Sequence, residues 1–235
     1  MDSSLKDNIK VIAFDADDTL WANQPYFDDA EDRLCSILAE YGEPRYIKSE
    51  LFKTEMQNMA ELGYGVMAFT LSMIETALRL GGNRLSTSAV SEIYSLGRSL
   101  LRIPATPLPG VKDTLEKISR SCSYRTIVIT KGNMLDQERK LECSGLKPFF
   151  DHVEIVSDKN GKTYSDLLAF LGIGASELLM VGNSFKSDIS PVLNLGGYGV
   201  YIPFHTTWQH EQTDEYDHPN LFRADNFREL ENIVL

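Results

Sequence analysis

Three acids crowd one short stretch of this sequence: Asp15, Asp17 and Asp18, in the run Phe14-Asp15-Ala16-Asp17-Asp18-Thr19-Leu20. Carboxylates packed this tightly repel one another unless a cation lies among them, and oxygen-rich sites are what magnesium selects. Two acids two residues apart can divide the work, one facing a substrate while the other projects nearby from the turn. Three other polar clusters could complete a site. Thr130-Lys131-Gly132-Asn133 offers a hydroxyl and a flexible backbone whose N–H groups can approach an oxyanion. Ser157-Asp158-Lys159-Asn160-Gly161-Lys162 places two lysines just before a helix, where helix N–H groups and positive charge favour a phosphate. Gly182-Asn183-Ser184-Phe185-Lys186-Ser187-Asp188 adds a turn and an acid. Each cluster alone could be an ordinary solvated turn.

Their positions argue otherwise. Three clusters directly follow short apolar runs that read as buried parallel strands: Lys10–Phe14, Tyr124–Ile129 and Leu178–Val181. Val153–Val156 and Tyr198–Ile202 are two further strand candidates, and Val111–Ser119 and Thr163–Leu171 have the helical spacing of crossovers. Polar residues and glycines at strand C-terminal ends are where open α/β sheets hold ligands. Between the first two strands lies only helical periodicity: Asp28–Tyr41, Pro44–Leu62, Val66–Leu80 and Ser86–Leu101, broken at Gly42, at Gly63 to Gly65 and at Gly81-Gly82. One crossover helix would suffice, so four predict an inserted subdomain. The prolines 104, 107 and 109 stiffen its return linker. The expected architecture is α/β, a three-layer Rossmann-like parallel sheet (residues 1–24 and 104–235) with a helical insertion at residues 25–103.

Composition limits the partners. Acids outnumber bases 34 to 23, a net charge of −11, which argues against a nucleic-acid binder. An anionic substrate needs a locally positive site, such as a metal, against this background. Cys35, Cys122 and Cys143 are far apart and without a C-x-x-C pair, so they read as reduced thiols. No apolar run reaches the ~18 residues of a membrane span, and the polar start from Met1 to Lys10 lacks a leader pattern. The expectation is a cytoplasmic protein with no membrane partner; its oligomeric state is not legible.

Taken in order, the four clusters resemble the motifs of the haloacid dehalogenase superfamily. Its D-x-D-x-T motif is matched by Asp15, Asp17 and Thr19, its Thr or Ser by Thr130, and its Lys by Lys159. Lys162 is the alternative for that lysine, and Lys159 is preferred because it sits just past the strand. The fourth motif, commonly G-D-x-x-x-x-D, reads Gly182-Asn183 through Asp188, so one acid is replaced by an amide. An amide can still accept through its carbonyl, which weakens the expected metal binding without abolishing it.

The resemblance implies a magnesium-dependent phosphatase acting on a small phosphorylated substrate. Asp15 would be the nucleophile and Asp17 the general acid and base. Thr130, Lys131, Gly132 and Lys159 would hold the phosphate. Asp15, Asp17 through its carbonyl, Asp188 and Asn183, directly or through a metal-bound water, would hold the metal. The inserted helices resemble the family's cap, with hinges at Leu20 to Tyr26 and at the proline linker. Two alternatives stay open: a 2-haloacid dehalogenase, which Asn183 favours and Asp17 opposes, and a non-catalytic binding protein. Beyond Pro203 the sequence suggests no role, although His205-Thr206-Thr207-Trp208 stands out.

Overall fold

Four apolar residues with no solvent-facing side form the central strand β1, Val11–Phe14, in a computed structural model that describes residues 8–121 and 123–235. The chain then runs through helices α1 (Gln24–Ile37), α2 (Pro44–Leu62), α3 (Val66–Gly81) and α4 (Thr87–Leu100). It continues through α5 (Val111–Ser121), β2 (Arg125–Lys131), α6 (Met134–Ser144), β3 (His152–Val156), α7 (Gly161–Leu171) and β4 (Leu178–Gly182). A turn of π-helix at Phe185–Ile189, α8 (Ser190–Asn194), β5 (Tyr198–Tyr201), β6 (Leu221–Arg223) and α9 (Leu230–Val234) complete it.

All neighbouring strands pair in parallel, in the order β3-β2-β1-β4-β5-β6. Alternate residues of β1 face opposite layers, as the pleat requires. Ile12 and Phe14 pack with Val111 and Leu115 of α5 and Leu230 of α9. Val11 and Ala13 pack with Tyr164, Leu167 and Leu171 of α7. The chain departs to the two sides of the sheet from β1 and β4. The crevice beyond their C-terminal ends is the usual ligand position in such sheets.

The four helices between β1 and α5 bury a separate core that includes Leu34, Leu38, Ile47, Leu51, Phe69, Met73, Ile93 and Leu100. Helix α2 has the bounds that Pro44 and Gly63 predict. Helix α1 starts four residues before the expected Asp28, because the Asp18 carboxylate accepts from the N–H groups of Asn23 (2.8 Å) and Gln24 (3.0 Å) and caps it from outside. The expected Leu20–Tyr26 hinge is therefore shorter than its sequence suggests. Leu20 and Trp21 are fully buried, the Leu108 N–H donates to the Leu20 carbonyl at 2.8 Å, and Trp21 bridges Pro107. The two connections are pinned to each other, leaving Ala22 and Asn23 between anchor and helix.

Among the described residues no helix is long and apolar enough to cross a membrane. Cys35 is buried and Cys143 exposed, both as free thiols, while Cys122 and the polar residues 1–7 lie outside the described residues.

Candidate active site

Asp15 follows β1 directly, its N–H donating to the Val181 carbonyl of β4 at 2.9 Å. Asp15 is 7% exposed. Oδ1 accepts from Lys159 Nζ at 2.5 Å and Oδ2 from the Thr19 hydroxyl at 2.8 Å. The same ammonium donates to Asp188 Oδ1 at 2.7 Å. Lys159 thus sits buried between two buried carboxylates. Burial alone would lower its pKa, but Asp15 and Asp188 outweigh it and hold the ammonium above the usual lysine range. Burial, with Asp188 second, pushes Asp15 up to about 7 against the opposing pull of Lys159. Lys162 lies outside: its side chain is exposed and pairs with Asp166.

Asp188 reaches this point because the π-helical turn swings it back under β4. Its Oδ2 accepts from the Ser184 N–H at 2.9 Å. Gly182 permits the approach, since a Cβ there would stand 2.3 Å from Asp188 Oδ2. Asp188, expected among the metal ligands, thus has its two oxygens engaged by Lys159 and Ser184. Among the described residues no three Asp, Glu, His or Cys side chains converge as a metal cluster.

The oxygen set nevertheless suits a cation. The Asn183 amide nitrogen is 3.1 Å from Asp15 Oδ2, 3.0 Å from Thr19 Oγ1 and 3.2 Å from the Asp17 carbonyl oxygen. Those three acceptors surround a donor, which is also the environment a hard divalent cation requires. A cation among them would displace that amide, and Asp15, the Asp17 carbonyl and Asn183, its oxygen turned toward the cation, would be the protein ligands.

The Asp17 carboxylate lines the same cavity but is held by a different set of donors. Oδ1 accepts from Trp21 Nε1 (2.7 Å) and Lys140 Nζ (3.0 Å), and Oδ2 from Gln137 Nε2 (2.8 Å) and Lys140 Nζ (3.1 Å). Gly132 has φ 132°, and a Cβ there would stand 3.0 Å from the Gln137 nitrogen, so glycine keeps this loop tight against Gln137. Thr130 is 2% exposed, and its hydroxyl makes only a long 3.5 Å contact to the Lys131 carbonyl.

Lys131 differs from expectation. Its ammonium donates to Glu211 and, at 2.9 Å, to Ser187 Oγ, and lies 4.3 Å from the centre of the Tyr64 ring. Its charge is therefore shared with Glu211, although it still lines the cavity. Glu211 also accepts from the hydroxyls of Ser184 (2.5 Å) and Ser187 (2.6 Å). Burial pushes its carboxyl up, but Lys131 and the two serines outweigh that and bring it down to about 2. A depressed carboxyl stabilises the fold above its unfolded value near 4.5 and loses that contribution as pH falls toward 2, roughly 3 kcal/mol in all. Thermal melts from pH 6 to 3 should fall more steeply for wild type than for Glu211→Gln, and the two should converge in acid. Parallel curves would mean the pair contributes nothing.

The stretch after Pro203, silent in the sequence, closes the site. Thr206 Oγ1 donates to Asp28 of α1 at 3.1 Å, and the Trp208 ring meets Tyr64 edge-on at 6.0 Å. Together with the helices it encloses a cavity of about 170 Å³ over Asp15, Asp17, Thr130 and Lys159. Met59, Tyr64 and Phe69 line it from the helical side, whereas Tyr26 and Met67 are solvent-exposed. Glu55 lines it too, and burial, with Glu31 second, pushes its carboxyl up to about 8.

Lys140, Gln137 and Glu211 of this site went unread in the sequence. For the first two a signal existed. Asn133 caps α6 by accepting from the Leu135 N–H, and Gly145 ends it in the left-handed region, which would have marked the helix that carries them.

A family model for haloacid dehalogenase-like hydrolases matches residues 9–196. Among curated relatives, the glyceraldehyde 3-phosphate phosphatase of Methanothermobacter thermautotrophicus is 24% identical over 96% of this chain and 100% of its own length. The protein of the same name from Pyrococcus abyssi is 28% identical over 83% of this chain and 82% of its own. A solved haloacid dehalogenase-like family hydrolase from Xanthomonas campestris superposes with a TM-score of 0.87 at 34% identity, covering 97% of this chain and 91% of that one.

Proposed function

Because the chain belongs to the haloacid dehalogenase-like hydrolases, we propose that it hydrolyses a small phosphate monoester, with Asp15 as nucleophile and Asp17 as general acid and base. The observation that carries this reading is the pair of carboxylates on one cavity wall. Asp15 is held by Lys159 and Thr19, and Asp17 is held separately by Lys140, Gln137 and Trp21. A reaction at carbon, as in dehalogenation, has no leaving oxygen to protonate and no use for an acid at position 17.

The Asp15 carboxylate attacks phosphorus in line as the bond to the leaving oxygen breaks, giving an aspartyl-phosphate. Asp17 enters this step protonated, the proton taking the place of one of the hydrogen bonds that its oxygens accept from Trp21, Gln137 and Lys140, and gives that proton to the leaving oxygen. It then takes one from the water that attacks the phosphorus, releasing phosphate and restoring Asp15. The Thr130 hydroxyl holds a phosphoryl oxygen, and Lys159 offsets the charge beside it. Magnesium is the cation we assign to Asp15, the Asp17 carbonyl and Asn183, where it would neutralise phosphoryl charge and favour ionised Asp15. Residues 25–103 act as the cap, which with the Thr206–Glu211 segment admits a small metabolite and excludes bulk water. The phosphatase names of the relatives support the substrate class.

Magnesium-dependent release of p-nitrophenolate from p-nitrophenyl phosphate tests the reading; a dehalogenase or a non-catalytic protein gives none. Asp17→Asn sharpens it. Turnover of glycerol 2-phosphate, whose alkoxide leaves badly, should fall about 100-fold or more, and that of p-nitrophenyl phosphate far less. Equal losses on the two esters would remove Asp17 from proton transfer.

A further inference from the structure

Lys140 is 2% exposed, and its ammonium donates to two residues near the start of the helical unit and pairs with a third on its own helix. It donates to both oxygens of Asp17 (3.0 and 3.1 Å) and to Asn23 Oδ1 (2.8 Å), and it lies 3.5 Å from Asp136 Oδ2. Burying an ammonium this far is costly unless every donor finds a partner. A lysine serving only to stabilise α6 would be satisfied by Asp136, one turn back on the same helix. Here the second partner is the acid that the proposed reaction needs, and the third is the residue immediately before α1.

The neighbouring residue completes the pattern. Arg139 donates to the Ile103 carbonyl at 3.2 Å and to Asp136 Oδ1 at 3.1 Å. Asn23 lies in the connection entering the helical unit and Ile103 in the connection leaving it. Helix α6 therefore holds both connections through adjacent cations that share Asp136, and one of those cations also holds Asp17.

We propose that Lys140 is the positioning residue for Asp17, and that through Asn23 it makes the placement of that acid depend on the seating of the helical unit. The inference rests on the reading of Asp17 as general acid and base. When the helical unit sits as it does here, Asn23 and Asp17 together fix the ammonium and the ammonium fixes both carboxylate oxygens. When the unit lifts, Asn23 leaves with the start of α1 and Lys140 loses the acceptor that sets its position. The acid is then in register only over an enclosed substrate.

The test compares turnover numbers on glycerol 2-phosphate and p-nitrophenyl phosphate with magnesium present, for Lys140→Met, Lys140→Arg, Asn23→Ala and Asp17→Asn. Lys140→Met should lower turnover of glycerol 2-phosphate about 30-fold more than that of p-nitrophenyl phosphate. It should add no further loss in the Asp17→Asn background, because the two residues act as one unit. Lys140→Arg should recover part of the loss. Asn23 is half-buried at the edge of the helical unit, so Asn23→Ala should fold even where Lys140→Met does not. It should give a loss of about 5-fold in the same selective direction. Equal losses on both esters, or losses that multiply with Asp17→Asn, would overturn the inference. If Asp17→Asn is itself selective for the poor leaving group while the Lys140 and Asn23 variants are not, this inference alone fails. If Asp17→Asn shows no selectivity, the reading of Asp17 fails and takes this one with it.

Discussion

Asp15→Asn should lower turnover at least ~10⁴-fold while leaving the protein as stable as wild type, or more stable. The rate loss follows from the chemistry: an amide is a poor nucleophile, and loss of the attacking group removes most of the catalysis that acts through it. The stability follows from the surroundings. Asp15 and Asp188 share one ammonium, that of Lys159, and neutralising one of the two leaves a balanced pair. Thermal melts and steady-state rates on the same preparation check both halves. Turnover above about 1% of wild type would remove Asp15 from the reaction.

Lys159→Met should fail in both respects. Two buried carboxylates would face each other without their cation, and breaking a buried ion pair from one side costs about 3–5 kcal/mol. For a chain of this length that is a melting temperature lower by about 6 °C or more. Turnover should fall as well, since the charge beside the transferring phosphoryl group is gone. Adding Asp15→Asn to Lys159→Met should restore much of the lost stability, because only one uncompensated carboxylate remains. A single variant that melts like wild type would mean the carboxylates are relieved in some other way, and the Asp15–Lys159–Asp188 arrangement would lose its electrostatic meaning.

What the sequence disclosed, and what it hid, follow from the range of the interactions. Strand β1 and the acids after it are written consecutively, so an apolar run and a polar turn suffice to find them. Thr130 and Lys159 were accessible because each stands beside its own strand end. The rest depends on charges that meet only after folding. Lys140 meets Asp17 across 123 residues and Lys131 meets Glu211 across 80. In each case a lysine that looks free in the sequence is neutralised in space. Lys131 reads as an unpaired phosphate ligand, and the partner that shares its charge, Glu211, comes from a segment with no periodicity of its own. Asp18 reads as one more acid of a cluster, yet it caps α1 and shortens the connection to the helical unit. Asp188 is legible as an acid, but its hold on Lys159 depends on a π-helical turn that no local pattern announces.

The central claim is that phosphorus becomes covalently attached to Asp15. The measurement that tests it most directly is an acid quench, within the first turnover, of the enzyme with magnesium and a ³²P-labelled phosphate monoester, followed by peptide mapping. The account predicts acid-stable, hydroxylamine-sensitive label on the peptide carrying Asp15, absent from Asp15→Asn, discharged in the wild type as phosphate is released. Label on another residue, or phosphate released by Asp15→Asn at the wild-type rate, would contradict it.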